Sequence, residues 1–128
     1  MGRQDAVKIF GRDYPTDDGT CIRDYVHVSD LADAHVAAAV WLAAGKPSEA
    51  FNLGNGRGYS VAEVVRASEQ VTGKKVKIEI CPRRDGDPPV LISDSSKAQR
   101  LLGWKPNFPS IDDQISHAWR WLSSPSYL

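Results

Sequence analysis

Hydrophobic positions along this chain fall into short runs and helical stripes, separated by turn residues. Val7 to Phe10 is a brief apolar run that stops at Gly11 and predicts a strand. The loop from Tyr14 to Thr20 is rich in Asp, Gly, Thr and Pro. Ile22 to Val28 is a second β-branched and aromatic run, which predicts a strand buried on at least one face. Arg23 and Asp24 are set inside it. Charges in such a run need partners, because burying them alone is costly. Ser29 or Asp30 then caps a helix, with Asp33 in its first turn near the positive end of the dipole. Leu31, Ala34, Ala38, Trp41 and Leu42 share one stripe of that helix, and Gly45-Lys46-Pro47 ends it.

The second half repeats this alternation. Phe51 to Leu53 predicts a short strand, followed by Gly54-Asn55-Gly56-Arg57-Gly58. Ser60 and Glu63 form a capping-box pattern, Val61, Val64, Val65, Ala67 and Val71 give an apolar face, and Gly73 closes the helix. Val76 to Ile80 alternates as a strand. Cys81 to Pro89 is a loop with two arginines and two aspartates. Asp94 caps a short helix, Ser95 to Leu102, ended by Gly103. Pro109-Ser110 opens a last helix with Ile111, Ile115, Ala118, Trp119 and Leu122 on its buried stripe. The tryptophans read as packing residues, and the tail after Ser123 is expected to fray.

Composition narrows the functional classes. Lys plus Arg and Asp plus Glu both number 16, so the chain lacks the basic excess of a nucleic-acid module. No apolar run approaches the ~18 residues of a membrane span, and the start lacks the apolar core of a signal peptide. Cys21 and Cys81 have no ligand-spaced partners, so they read as reduced thiols in a cytoplasmic protein, with no metal site. His27 and His35 read as structural or surface histidines.

One segment has the outline of a dinucleotide-binding unit: strand, Gly-rich turn, helix, strand, then Glu79. Its glycines are spaced G-x-G-x-G, however, and Gly58 precedes the cap. A turn at a strand–helix junction is the better reading. Arg23 and Arg84 are the stronger functional candidates. Guanidinium donors fit phosphate oxygens bidentately, so two arginines from distant segments could bracket a diphosphate. Arg83 points elsewhere if its segment is extended. The competing reading pairs Arg23 with Asp24 or Asp87 and leaves Arg83 and Arg84 in water.

A set of motifs then bears on these residues: Phe10-Gly11, Asp13-Tyr14-Pro15-Thr16, Asp18-Gly19-Thr20, Arg23-Asp24-Tyr25-Val26-His27-Val28, Asn52-Leu53-Gly54, Pro82-Arg83-Arg84-Asp85-Gly86-Asp87 and Leu102-Gly103-Trp104. Together they resemble the UDP-glucose 4-epimerase family of the extended short-chain dehydrogenase/reductase group, over its C-terminal portion only. The resemblance implies an α/β substrate-binding part with a small mixed sheet and about four helices, a single UDP-sugar-binding domain over residues 1–128, and no Rossmann half. It implies that Arg23 and Arg84 hold the UDP diphosphate, that Asp87 accepts the ribose hydroxyls, and that Tyr25 lines the same region. Phe10, with Lys8 nearby, matches the strand edge that holds the uracil, and Leu91 matches a position that shapes the sugar pocket.

The family uses a tightly held NAD and a Tyr-x-x-x-Lys pair to interconvert UDP-glucose and UDP-galactose. None of Tyr14, Tyr25, Tyr59 and Tyr127 has Lys four residues later, so no catalytic residue is assigned and no NAD is expected to bind this chain alone. The implied partners are a UDP-sugar and either a second copy of the chain or a separate N-terminal NAD-binding half. In the family the segment from Val26 through Leu42 packs on that half. The alternatives are a non-catalytic binding or interaction module and a fragment of a related nucleotide-sugar dehydratase or decarboxylase.

Overall fold

The computed structural model describes residues 5–124, and among these residues five short strands alternate with four helices. Strand β1 (Val7–Phe10) pairs in parallel with β4 (Ile78–Cys81), placing Phe10 opposite Cys81. Strand β2 (Ile22–Asp24) is the centre of a three-stranded sheet, with β3 (Gly58–Ser60) antiparallel on one side and β5 (Val90–Leu91) parallel on the other. The one small sheet expected is therefore two. Strand β2 also stops well short of Val28. The Tyr25 carbonyl accepts from the side-chain amides of Asn55 and Gln114, the latter at 3.0 Å, and not from a neighbouring strand.

Helix α1 (Val28–Ala43) is capped by His27 and not by Ser29 or Asp30: His27 Nδ1 accepts the Ser29 N–H at 3.0 Å. A ring nitrogen that accepts there carries no proton, which leaves the Nε2 proton to face His117 Nδ1 at 3.1 Å. Asp30 is fully buried one turn further on. Its carboxylate accepts the Asn107 N–H at 2.9 Å and the Phe108 N–H at 3.1 Å, and its carbonyl accepts the Trp104 indole N–H at 2.8 Å. A residue with the character of a cap thus fastens a distant loop onto α1. Trp104 packs with Ala34 and Ala98, ringed by Val26, Phe51, Leu53 and Leu102. Phe51 to Leu53, expected as a strand, has no ladder and serves this cluster through its side chains. Leu42, expected inside, is exposed, as are Val28, Val36 and Val40 on the outer face of α1.

Helix α2 (Val61–Thr72) has the capping box expected of Ser60 and Glu63 and closes at Gly73. It packs on α4 (Ile111–Leu122) through a cluster of Tyr59, Ala67 and Ile111. Ala118 and Leu122, expected on the buried stripe of α4, are exposed and line an open apolar groove with Val26 and Val28. Trp121 is 58% exposed, whereas Trp104 is buried. Helix α3 (Ser96–Leu102) starts after Ser95, whose buried hydroxyl donates to the Gly54 carbonyl at 2.9 Å, while Asp94 accepts the Ser96 N–H at 2.9 Å. The strand expected over Val76 to Ile80 is shifted to Ile78–Cys81, because Glu69 takes the Val76 N–H at 2.9 Å and holds the start of that segment against α2. Among the described residues no helix is long and apolar enough to cross a membrane. Of the tail expected to fray, residues 125–128 lie outside the described residues.

The loop from Tyr14 to Thr20 is pinned to α2 by Asp18. Its carboxylate accepts the Thr20 N–H at 3.0 Å, the Thr20 hydroxyl at 2.7 Å and the Ser60 hydroxyl at 2.5 Å. Burial pushes the Asp18 carboxyl up, but the Ser60 and Thr20 donors outweigh it and hold the group below its ordinary value. Such a group stabilises the fold above the ordinary carboxylate value, and that contribution is lost as pH falls through the depressed folded value. Asp18→Asn is expected to cost on the order of 1 kcal/mol at neutral pH, the scale of a charged hydrogen bond discounted for partial exposure. The gap to the parent should narrow as urea melts are repeated toward pH ~3. Asp30→Ala is expected to cost about 2 to 4 kcal/mol, because it strands the Asn107 and Phe108 amides. A thermal melt close to that of the parent would show that this loop is held by other contacts.

Candidate functional site

Two groups of side chains meet around the loop that leaves β4. Phe10 ends β1, and the Arg84 guanidinium lies over its ring, 3.8 Å from the centroid. An Arg face on an aromatic ring keeps its edge N–H donors available. A concavity of about 980 Å³ opens along β1 and β4, lined by Lys8, Phe10, Lys77, Ile78, Glu79 and Arg84 among others. Lys8 is exposed and stands 3.9 Å from Glu79.

The second group belongs to the three-stranded sheet. Arg23 is the register partner of Leu91, so both side chains leave the same face, and Leu91 is 59% exposed. Arg23 donates from one terminal nitrogen to the Ile22 carbonyl at 2.7 Å and from the other to Asp87 at 2.5 Å. A turn joins the two groups, with the Asp87 N–H donating to the Arg84 carbonyl at 3.3 Å. Arg84 and Asp87 are thus the two ends of one turn, and they face Phe10 and Arg23 respectively. Arg83 departs from both: it donates to the Asp13 carboxylate at 2.7 Å and stacks on Tyr14, 4.1 Å from the ring centroid. The two adjacent arginines therefore do different work, Arg83 fastening the Asp13 loop and Arg84 facing the concavity.

Tyr25 directly follows the β2 strand that carries Arg23. It packs against the Tyr59, Ala67 and Ile111 cluster between α2 and α4. Burial raises its phenol above the ordinary value, the Cys21 sulfur adds to this, and the Arg23 charge opposes it, so the hydroxyl stays protonated at neutral pH.

Asp24 holds the site together, and the sequence does not single it out for that role. Its carboxylate accepts the Asn55 N–H at 2.9 Å and the Ser93 N–H at 3.2 Å, tying β2 to the turn after Leu53 and to the segment after β5. Gly54 is required by that closeness: a Cβ there would collide with Asp24 and with the Ser93 side chain. Gly58 meets Ile22 and Ile92 in the same way. Packing therefore explains Gly54 and Gly58 of the G-x-G-x-G pattern, and the positive φ of 68° explains Gly56. These residues do not fit a dinucleotide pyrophosphate, because the first amides of α2 are already taken. Val61 N–H goes to the Cys21 carbonyl at 3.1 Å, Ala62 N–H to the Thr20 hydroxyl at 3.2 Å, and Glu63 N–H to the Ser60 hydroxyl at 3.0 Å.

Comparison with known proteins places the chain as a whole. The family model described as GDP-mannose 4,6 dehydratase matches residues 4–116. A UDP-glucose 4-epimerase of Halalkalibacterium halodurans is 53% identical over 121 residues, covering 94% of this chain and 36% of that protein. The UDP-glucose 4-epimerase of Lacticaseibacillus casei is 51% identical over 120 residues, again covering 36% of its length. A crystal structure of a UDP-glucose 4-epimerase superposes with a TM-score of 0.91 at 45% identity, over 98% of this chain and 38% of that one. The Bifidobacterium longum UDP-glucose 4-epimerase in complex with NAD+ and UDP gives 0.85 at 41% identity, over 98% of this chain and 37% of that one. The chain thus spans little more than a third of the length of these relatives. It belongs to the GDP-mannose 4,6 dehydratase family, and within it corresponds to a C-terminal portion of the UDP-glucose 4-epimerases.

Proposed function

We propose that this chain is the nucleotide-sugar-binding part of a UDP-glucose 4-epimerase and that it is catalytically incomplete by itself. One observation carries the reading: a single turn presents Arg84 on Phe10 at one end and Asp87 on Arg23 at the other, beside Leu91. In this reading the uracil lies at the Phe10 edge. Arg84 and Arg23 take the diphosphate, Asp87 meets the ribose hydroxyls, and Leu91 borders the sugar. Tyr25 supports the Arg23 strand from the core side, so its contribution is indirect.

The interconversion of UDP-glucose and UDP-galactose belongs, on this account, to an assembly in which a further segment supplies NAD and a Tyr-x-x-x-Lys pair. Residues 1–128 then form one substrate domain of a cytoplasmic enzyme. The outward face of α1, with Val28, Val36 and Val40 exposed, is the surface that such a segment or a second copy would cover. Support for the epimerase over a dehydratase comes from the named relatives at 53% and 51% identity, against a family description that is a dehydratase.

Calorimetric titration of the chain with UDP is expected to show binding that falls at least about tenfold in Arg23→Ala and in Arg84→Ala, the scale of a lost charged hydrogen bond. NAD is expected to give no heat. UDP binding unaffected by both substitutions would contradict the assignment, and NAD binding would move the function to another part of the surface.

A further inference from the structure

We infer that Arg83 is a positioning residue for the candidate site: its grip on the Asp13 loop sets the place of Arg84, and it does so without meeting the ligand. The inference rests on the reading of Arg84 as a phosphate ligand. The chain leaves one sheet after the bond from the Gly11 N–H to the Cys81 carbonyl at 2.9 Å. It rejoins the other at the bond from the Ile22 N–H to the Pro89 carbonyl at 2.8 Å. Residues 82–86 between them are exposed. Among the described residues, the backbone of this span is bonded only within its own turn, by the Asp87 N–H on the Arg84 carbonyl. Backbone of this kind opens easily unless side chains fasten it.

Arg83 supplies that fastening at the near end of the turn. It donates to the Asp13 carboxylate at 2.7 Å and to the Asp13 carbonyl, and its guanidinium lies on the Tyr14 ring. The platform it grips is firm. Tyr14 is 4% exposed, its N–H donates to the Gly19 carbonyl at 3.0 Å, and its carbonyl accepts the Thr16 N–H at 2.8 Å. Gly11 lets the parts meet, since a Cβ there would collide with the Tyr14 ring and the Arg83 stem. The Arg83 hydrogen bond also holds the Asp13 carboxyl below its ordinary value, so the acceptor stays charged at neutral pH. Adjacent Cα atoms are about 3.8 Å apart, so fixing Arg83 fixes where Arg84 begins. The two arginines then reach separate anchors at the exit of β1, Arg83 on Asp13 and Arg84 on Phe10. With Arg83 released, Arg84 keeps only a ring contact on an exposed loop. A ligand must then order that loop as it binds, and the cost is taken from affinity.

The test is a double-mutant cycle in UDP affinity: the parent, Arg83→Gln, Arg84→Ala and the pair. Glutamine keeps a donor and loses the charge and the planar fork. Arg83→Gln is expected to weaken UDP about threefold to tenfold, the scale of ordering one long side chain on binding. In the Arg84→Ala background the same change is expected to cost less than about twofold, because nothing is left to position. Asp13→Ala, on the exposed partner, must weaken UDP in the same direction and add little to Arg83→Gln. Circular dichroism identifies any variant that has lost its fold. An Arg83 that serves the fold alone would cost the same factor with or without Arg84. That result, or unchanged affinity in the folded single variants at positions 83 and 13, would overturn the inference. A parent chain that binds no UDP, or whose affinity Arg84→Ala leaves unchanged, would instead overturn the reading of Arg84 as a phosphate ligand, and the inference with it.

Discussion

The two hydrogen bonds of Asp24 hold the rest of this structure in place. Strand β2 has only the span Ile22–Asp24, and β5 only Val90–Leu91. Ladders that short do not fix a sheet by themselves. Asp24 supplies what the ladders lack by accepting amides from Asn55, just before β3, and Ser93, just after β5, the two strands that flank β2. Arg23 and Leu91 then have a fixed spacing, and the turn that carries Arg84 and Asp87 has a fixed frame to close against.

The same device recurs through the molecule. Asp18 holds its loop to the start of α2, Asp30 holds the Asn107 segment to α1, and Glu69 receives the Val76 amide at 2.9 Å to set the entry into β4. Ion pairs share this work, Arg83 with Asp13 and Arg23 with Asp87. A carboxylate that accepts two or three donors offsets its own burial and satisfies backbone that no ladder reaches. This arrangement suits a site built from loops on a small amount of regular structure. Its cost is sensitivity to acid, because the donors that lower the Asp13, Asp18, Glu69 and Asp94 carboxyls are lost when those groups protonate.

Much of the fold was legible in local pattern. The capping box at Ser60 and Glu63, the helices and the strand at Val7 to Phe10 follow from periodicity and turn chemistry that need no tertiary contact. What pattern missed was decided at long range. Ser29 and Asp30 both have the character of caps, yet the Asn107–Phe108 loop claims the buried Asp30 and the cap passes to His27. Phe51 to Leu53 has strand propensity but no edge to pair with, while Gly58–Ser60 pairs with β2, where the absence of a side chain on Gly58 leaves room for Ile22. Leu42 and Leu122 fit their helical stripes but face outward, because the elements that pack here cover a narrower strip than the periodicity allows. For the candidate site, the pairing of Arg23 with Asp87 was one of two readings open in the sequence. The stacking of Arg84 on Phe10 and the part played by Asp24 left no local signal beyond a charge inside a strand.

In the proposed function, this chain alone holds a preformed site fastened by Asp24. Native-state amide exchange of the ligand-free chain measures it directly. The Asn55 and Ser93 amides are expected to exchange as slowly as the amides of α2, and to lose that protection in Asp24→Asn while α2 keeps its own. Exchange of both amides at the rate of open loop, in a parent chain whose helices are protected, would contradict the claim: the site would then be ordered only by what packs against it.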